Sequence, residues 1–305
     1  MKISALSPAE LRRRLRSPGL YFRTGVFTAC LRTRLEEVAS TFALLYGDYP
    51  LVDGPYADFH LELAPPRGLR RWIRPQVAFH FDGEAPFKPL PRNQAFAMFE
   101  WGLNWCVSSL ANHYLIIHAA VIEKNGRAAI LPAPPGSGKS TLCAVLIRHG
   151  WRLLSDELAL VRRSDFRLMP LPRPVSLKNA SIDVMKRHAP DAVFSPSVSD
   201  TVKGTVAQMK APAASIARAD ETALPGWVVF PRYEGGTPLT LTPVPRTRAF
   251  MRVADNAFNY AQLGAEAFEA LAGVIAQSDC YDFRYSDIDE AVAAFEQLSM
   301  QGGPP

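Results

Sequence analysis

Residues 133–140 read Ala133-Pro134-Pro135-Gly136-Ser137-Gly138-Lys139-Ser140, and the expected fold of the chain is built around this stretch. It matches the phosphate-binding pattern Gly-x-x-x-x-Gly-Lys-Ser/Thr, except that Ala133 replaces the first glycine. In that motif, backbone N–H groups and a helix N-terminus bind the phosphates of a nucleotide. Because Pro134 and Pro135 carry no N–H, the donors must begin after them. The expected donors are the backbone N–H groups of Gly136, Ser137, Gly138, Lys139, Ser140 and Thr141.

The segments around this loop have the character that a phosphate site requires. Residues 114–123 and 127–131 are apolar and strand-like, and they are joined at Asn125-Gly126, a dipeptide that suits a tight type I′ turn. A helix is predicted directly after the loop. In this setting the Lys139 ammonium reaches the β- and γ-phosphates, and the Ser140 hydroxyl is a ligand of Mg²⁺. The alternative is a Gly/Pro-rich turn that carries Gly-Lys-Ser by chance.

An acidic pair follows the next predicted strand. Residues 151–154 form a short strand that ends at Ser155, Asp156 and Glu157. A helix of about three turns and a returning strand bring this end back beside the loop. One carboxylate can then bind Mg²⁺ while the other faces an acceptor hydroxyl. The alternative is a pair of surface acids at the end of a strand.

The composition of the 305-residue chain is that of a globular protein, with 48% hydrophobic and 21% charged residues. The net charge of +5 is spread along the chain, and the densest run, Arg12 to Arg16, is explained better by a solvated helix face than by nucleic-acid binding. The four cysteines lie far apart without metal-binding spacing, which favours reduced thiols. The sequence begins without a signal-like segment and its apolar runs are too short for a membrane span, so a cytoplasmic protein is expected.

Two parts are expected along the chain, an N-terminal α+β unit of residues 1–111 and a larger domain of residues 112–305. The first is predicted to contain a strand pair or one bent strand at 20–31, a helix near 35–45, strands at 59–63 and 77–81, and a long apolar helix at 93–110. The second is predicted to continue after the acidic pair with a hairpin over 158–169, partly mobile loops over 170–223, a strand at 227–230 and helices at 255–277 and 287–298.

Three parts of the sequence together resemble the HPr serine kinase family: His118-Ala119-Ala120, the loop at 133–141, and residues 148–157. That family has a His-Gly strand before its loop, then a helix, an Arg-Gly-His-Arg-Leu turn and an Asp-Asp pair. The resemblance implies a mixed α/β fold with a P-loop core like that of phosphoenolpyruvate carboxykinase. It also implies that Asp156 is the base and Glu157 the Mg²⁺ ligand, with the two roles exchanged or shared as the alternative. His118, which alone would be interpreted as a core residue, is implied to lie near the phosphates.

This resemblance is clear over residues 113–165 and looser elsewhere. The N-terminal unit, Lys178-Asn179 and Lys203-Gly204-Thr205 look like the HPr-kinase-related proteins called kinase A. His-Ala replaces the family's His-Gly, and Asp-Glu replaces its Asp-Asp. The sequence has no clear counterpart of the segment used for phosphorolysis of the product, so the resemblance does not extend to that reverse activity.

A phosphoryl-transfer site also requires positive charge near the γ-phosphate. The candidates in the sequence are Lys178, Lys203, Lys210 and Arg232. Lys203 precedes a glycine in a loop-like stretch, as a closing lid requires, and Arg232 follows a predicted strand. For each of the four, a solvated surface charge is an equally good interpretation.

These features predict an ATP- and Mg²⁺-dependent kinase that phosphorylates a serine hydroxyl of a protein or peptide. A kinase acting on a small-molecule hydroxyl is an alternative, and it would have a deep, closed acceptor pocket instead of an open groove beside Asp156. A second alternative is a nucleotide-binding switch without phosphate transfer, in which the acidic pair would have no role. Neither a nucleic acid nor a membrane is expected as a partner, and a homo-oligomer is left open.

Overall fold

The computed structural model describes residues 1–66, 74–134 and 136–301, which form a mixed α/β fold with three sheets. The mixed class predicted from the sequence is therefore confirmed. The strands are β1 (Leu20–Thr24), β2 (Phe27–Thr33), β3 (Phe59–Ala64), β4 (Gln76–Phe81), β5 (Leu90–Pro91), β6 (Tyr114–Lys124), β7 (Arg127–Pro132), β8 (Arg152–Ser155), β9 (Leu158–Arg162), β10 (Leu168–Met169), β11 (Val175–Lys178), β12 (Val198–Thr201), β13 (Gly204–Met209), β14 (Leu224–Tyr233), β15 (Thr240–Pro243) and β16 (Asp279–Tyr285). The α-helices are α1 (Pro8–Arg16), α2 (Glu36–Tyr46), α3 (Ala95–Leu110), α4 (Lys139–Arg148), α5 (Ala180–His188), α6 (Ala213–Ala217), α7 (Arg246–Ala254), α8 (Tyr260–Leu263), α9 (Ala265–Ala276) and α10 (Ile288–Gln301).

The N-terminal sheet has the order β1-β2-β3-β4-β5, and β2 and β3 are its parallel pair. Alternating residues of these strands are buried, as in β3, where Phe59, Leu61 and Leu63 face the core. Helices α2 and α3 contribute the aromatic side chains Phe42 and Phe99 to the same core. The strand pair, the two strands and both helices predicted for this region are confirmed.

The central sheet has the order β10-β9-β6-β7-β14-β16-β15, and β8 pairs with β6 outside this path. Its middle strands β7, β14 and β16 are parallel, so their carboxyl ends meet at one edge. The β6–β7 hairpin turns at Asn125 and Gly126, both with positive φ, as the predicted turn requires. The edge where β7, β14 and β16 end carries the loop that precedes α4.

Two hydrophobic cores cover the two faces of the central sheet. Alternation along β6 sends Ile116 into the first core and Ile117 into the second. The first core continues without a break from the N-terminal sheet to α4, where it includes Leu146. The division of the chain at residue 111 stays a prediction.

The prediction of partly mobile loops over residues 170–223 is wrong. This region forms a third sheet of order β11-β13-β12, together with α5 and α6. Its strands are short, and β11 pairs with a segment about thirty residues away, as in Ser176 opposite Gln208. Local Pro, Ser and Ala content therefore describes the turns of this region but not its strand pairing.

The helix predicted at 255–277 is also wrong in its first half, where irregular backbone and the short helix α8 precede α9. Asn259 stands at the break, and its side chain accepts from Ile116 N (3.0 Å) and donates to Tyr114 O (2.9 Å). Gly264 adopts a φ of +58°, which separates α8 from α9. Strands β15 and β16 were not predicted, whereas the helix expected at 287–298 is confirmed as α10.

None of the helices in the described part of the chain is both long and apolar enough to cross a membrane. All four cysteines are buried and free of disulfides.

Candidate active site

The loop between β7 and α4 depends on two glycines with left-handed backbone. Gly136 has a φ of +85° and Gly138 a φ of +89°. A Cβ on Gly138 would lie 2.6 Å from Tyr285 Oη and 2.9 Å from Tyr233 Cβ, so this position requires glycine. Pro135 lies outside the described residues.

Two hydrogen bonds hold this loop against the ends of β14 and β16. Tyr233 N donates to Ser137 O at 2.9 Å, and Tyr285 Oη donates to Gly138 O at 3.2 Å. The Ser137 hydroxyl is buried and has no hydrogen-bond partner among the described residues. Such a loop, followed at once by a helix N-terminus, has the local form of an anion site.

Lys139 is the first residue of α4 and is only 8% exposed. Burial lowers the pKa of its ammonium, although the negative charges of Asp156 and Glu157 oppose that shift. The structure therefore brings the predicted loop lysine and the predicted acidic pair together.

Asp156 and Glu157 occupy the turn between β8 and β9, as the sequence predicts. Asp156 is 4% exposed, and its Oδ2 accepts from Ser176 N at 3.0 Å. Burial, and then the charge of Glu157, raise the pKa of Asp156 to about 6, while Lys139 and the Ser140 hydroxyl act in the opposite direction. Asp156 thus exchanges its proton close to neutral pH.

The pKa of Glu157 is shifted in the opposite direction, below its ordinary value. Burial acts to raise its pKa, but Lys203, Lys178, Lys139 and Arg173 together outweigh burial and lower it. The Asn104 amide also donates a hydrogen bond to Glu157 Oε2. Glu157 therefore has the lower proton affinity of the pair and is ionised at neutral pH.

His118 lies in β6 with its ring tilted against Phe258, at 5.6 Å between ring centroids. Burial, and then the charge of Lys139, lower the pKa of His118 to about 4, whereas Glu157 opposes the shift. The imidazole is accordingly neutral at physiological pH, close to both the lysine and the acidic pair.

The four basic candidates separate into two groups. Lys178 and Lys203 are among the principal charges acting on Glu157, and Lys203 also lies over the Trp101 ring at 5.2 Å. Arg232, in contrast, is exposed and lies 3.5 Å from Glu234. Lys210 pairs with Asp48 at 2.8 Å. The structure thus brings the first two lysines to the acidic pair and engages the other two residues elsewhere.

A buried network behind Glu157 was not predicted. Arg173 Nη2 donates to Glu100 Oε2 at 2.5 Å, and Arg173 Nη1 donates to Asn104 Oδ1 at 2.5 Å. Tyr46 Oη donates to the other oxygen of Glu100 at 2.7 Å. The available signal was the spacing of Glu100 and Asn104, two polar residues four apart in an otherwise apolar helix.

A bound Mg²⁺ fits the chemistry of the described residues. Within these residues, no group of three or more His, Cys, Asp and Glu side chains is arranged to hold a metal. Mg²⁺ commonly needs only one or two carboxylates, because phosphate oxygens and water complete its shell. Ser140, Asp156 and Glu157 provide such hard oxygen atoms beside the loop.

Comparison with known proteins gives two similarities. A family model described as "SynChlorMet cassette protein ScmC" matches residues 95–186, which include α3, the loop and the acidic pair. The HPr(Ser) kinase/phosphatase from Coxiella burnetii is 11% identical over an alignment covering 61% of this chain and 99% of that chain, with a TM-score of 0.29. At that score the structural likeness is distant. No curated protein matches the chain.

Proposed function

We propose that this protein is an ATP- and Mg²⁺-dependent kinase that transfers the γ-phosphate to a serine hydroxyl of a protein or peptide. The observation that carries the proposal is the pair of adjacent carboxylates with opposite pKa shifts, next to a glycine loop and its buried lysine. Different proton affinities in one site are typical of acid–base chemistry. The proposed loop is a P-loop of the HPr kinase and phosphoenolpyruvate carboxykinase type.

In the proposed complex, the backbone N–H groups of Gly136 to Thr141 hold the phosphates, and Lys139 reaches the β- and γ-oxygens. Ser140 and Glu157 hold Mg²⁺, which when bound neutralises charge on the phosphate oxygens. Glu157 suits this role because it is ionised. Neutral His118 lies beside these groups without adding a charge.

Asp156 is the proposed general base. Its pKa of about 6 leaves it mostly ionised at neutral pH, yet basic enough to take the proton of an acceptor hydroxyl. Lys178 and Lys203 are proposed to stabilise the charge that develops on the transferring phosphoryl group. Arg232 stays a candidate for substrate contact from its exposed position.

An exchange of the two acidic roles is favoured by one contact, since the Ser140 hydroxyl interacts with Asp156. Asp156→Asn and Glu157→Gln separate the two assignments. With Asp156 as the base, Asp156→Asn abolishes transfer but leaves the Mg²⁺ concentration for half-maximal nucleotide binding unchanged, whereas Glu157→Gln raises that concentration. The reverse result assigns the metal to Asp156.

The function itself is tested with γ-labelled ATP and a library of serine-containing peptides. Wild-type protein is expected to bind ATP and label peptides, and Lys139→Ala is expected to lose both. Nucleotide binding with neither transfer nor hydrolysis would instead identify a switch. Comparing the phosphoproteins of cells that carry wild-type protein or Lys139→Ala then searches for the acceptor.

A kinase for a small hydroxyl compound is the second candidate, because Asp156 also lines a small cavity and not only an open surface. Labelling of low-molecular-weight compounds in place of peptides would favour it. We place the activity in the cytoplasm, in keeping with four buried, unpaired thiols.

A further inference from the structure

A small cavity lies next to the acidic pair, between α3 and the sheet formed by β11 and β13. Its lining includes Trp101, Asp156, Arg173 and Gln208, and its volume is about 20 Å³. A cavity of this volume has room for roughly one water-sized group. An occupant of this size is a single water or the end of a larger molecule, and not a whole ring or phosphate.

Three of the lining side chains are more than nine-tenths buried, and each has one polar atom without a partner among the described residues. Asp156, Arg173 and Gln208 are 4%, 6% and 3% exposed, and the atoms are Oδ1, Nε and Nε2. Buried polar atoms in native proteins are nearly always hydrogen-bonded. Their concentration in one cavity points to a ligand.

The remaining polar atoms of these three side chains are already engaged, which fixes what each can offer. Asp156 Oδ2 accepts from Ser176 N, and both Nη atoms of Arg173 donate within the network behind Glu157. Gln208 Oε1 accepts from Ser195 Oγ at 3.0 Å. Trp101 Nε1 and Ser176 Oγ, on less buried side chains, also line the cavity without a partner among the described residues. The three deeply buried side chains leave over one acceptor and two donors. A hydroxyl group, with one hydrogen and two lone pairs, is complementary to this set.

The charge of the cavity selects among hydroxyl compounds. Three carboxylates, those of Glu100, Asp156 and Glu157, line it against the single guanidinium of Arg173. An anionic group such as a carboxylate is repelled there, whereas a neutral hydroxymethyl group is not. The small volume also leaves no room for the methyl group of a threonine side chain or for a phenol ring.

We propose that this cavity is the seat of the acceptor, an unbranched primary hydroxyl that donates to Asp156 Oδ1 and accepts from Arg173 Nε and Gln208 Nε2. The assignment rests on the proposed kinase function. In the transfer step, the hydroxyl oxygen bonds to the γ-phosphorus as the bond from that phosphorus to the β–γ bridging oxygen breaks. The hydroxyl proton passes to Asp156, and the electron pair of the broken bond leaves with the nucleoside diphosphate.

Three neutral probes test this seat on the full chain: N-acetyl-L-serinamide, N-acetyl-L-alaninamide and N-acetyl-L-threoninamide. Their binding is measured by saturation-transfer NMR, with and without a non-hydrolysable ATP analogue and Mg²⁺. The serine probe is expected to bind at least roughly tenfold more tightly than either of the others. Equal binding of the serine and alanine probes, or no binding of the serine probe, would overturn the proposal and leave the cavity a site for water alone.

Variants at Gln208 locate the effect in the cavity. Gln208→Met keeps the side-chain volume but removes the Nε2 donor, and it is expected to lower the affinity for the serine probe by roughly tenfold. Gln208→Ala opens space and is expected to reduce the discrimination against the threonine probe. Gln277→Glu, on an exposed side chain, is the control and should change neither. Unchanged serine-probe binding in Gln208→Met would contradict the assigned donor.

Nucleotide binding is measured separately in the same samples. Binding of the ATP analogue without hydroxyl-dependent probe binding removes the acceptor seat but leaves the kinase proposal intact. Hydroxyl-dependent probe binding without nucleotide binding would keep the acceptor seat but contradict the kinase proposal.

Discussion

Asp156 and Glu157 are neighbours in the chain, yet their side chains lie in different surroundings. Asp156 is enclosed and close to a second carboxylate, so its pKa rises to about 6. Glu157 faces several cations, so its pKa falls. The sequence predicts that a pair of acids stands here. It does not predict how they differ, because that depends on Asn104, Arg173, Lys178 and Lys203, which come from other elements.

The pKa of His118 leads to a prediction about stability. Its pKa in the folded protein is about 4, against 6.5 for an ordinary histidine, so the unfolded chain binds a proton that the folded protein does not. The contribution of His118 to the free energy of unfolding should therefore fall, by up to roughly 3 kcal/mol, as the pH drops through this window. Asp156, whose pKa is raised in the folded protein, contributes in the opposite direction.

Urea unfolding of the nucleotide-free protein at several pH values measures this effect. His118→Gln removes the contribution, so the stability of the wild type relative to this variant should fall by that amount as the pH drops. His60→Gln changes an exposed ring and should retain the wild-type dependence. Parallel curves for His118→Gln and wild type would contradict the neutral state of His118.

Asn104 is expected to be a positioning residue for Glu157. Its Oδ1 accepts from Arg173, which turns its Nδ2 towards Glu157. Asn104→Asp keeps the first contact, loses the second and places a negative charge beside Glu157. Hydrogen-bonding partners of metal ligands commonly change metal affinity by roughly 10–100-fold. We expect the Mg²⁺ requirement for nucleotide binding to rise by about tenfold.

The readout for Asn104→Asp is the Mg²⁺ titration, compared with the affinity for nucleotide without metal. A purely structural role would weaken both together and lower thermal stability. Asn93→Asp, at an exposed position just before α3, is the matched control.

At the scale of elements, the loop before α4 is expected to respond differently at its two glycines. The Cβ added by Gly136→Ala would have no atom within 4 Å, so only the positive φ at this position is unfavourable. We expect the free energy of unfolding to fall by roughly 1–2 kcal/mol. Gly138→Ala has a similar φ and also collides with Tyr285 and Tyr233, so it should cost clearly more and move the loop.

Unfolding free energies and nucleotide dissociation constants of the two variants check this difference. Gly138→Ala should lose nucleotide binding while Gly136→Ala weakens it less. Equal losses of stability would show that the contact with β14 and β16 does not restrain the loop.

The elements around this loop were predictable because their signals are local. A two-residue turn at Asn125-Gly126, an apolar strand on each side and a glycine-lysine turn before a helix lie within one continuous stretch. Strands β11 to β13 were missed because each is short, and β11 pairs with the distant β13. Parallel strand β16 was missed for the same reason, since β14 is far away in the sequence.

At the scale of the whole molecule, one buried ion pair connects the first sheet region with the active site. Tyr46 of α2, Glu100 of α3 and Arg173 before β11 form a continuous hydrogen-bonded chain. The first core is likewise shared by both regions. The N-terminal region thus supports the position of Glu157 as well as its own sheet.

Breaking this pair should destabilise the whole protein. Arg173→Met leaves Glu100 buried without its cation, and we expect a loss of roughly 3–5 kcal/mol in a single cooperative transition. Adding Glu100→Leu removes the isolated charge and should recover much of this loss. Arg12→Met breaks the exposed pair with Glu36 and should change the stability far less than Arg173→Met.

Tryptophan fluorescence and far-UV circular dichroism should report the same midpoint for each variant. Two separate transitions would show that the regions unfold independently. A double variant no more stable than Arg173→Met would show that packing, and not the unpaired charge, dominates.

The attachment of the phosphate loop to Tyr233 and Tyr285 has a consequence for ligand association. Both restrained carbonyls, on Ser137 and Gly138, are fixed by strands that belong to the core of the fold. The conformational entropy of this loop is therefore lost during folding and not during the encounter with a nucleotide. Preorganisation of this kind strengthens affinity without any additional contact.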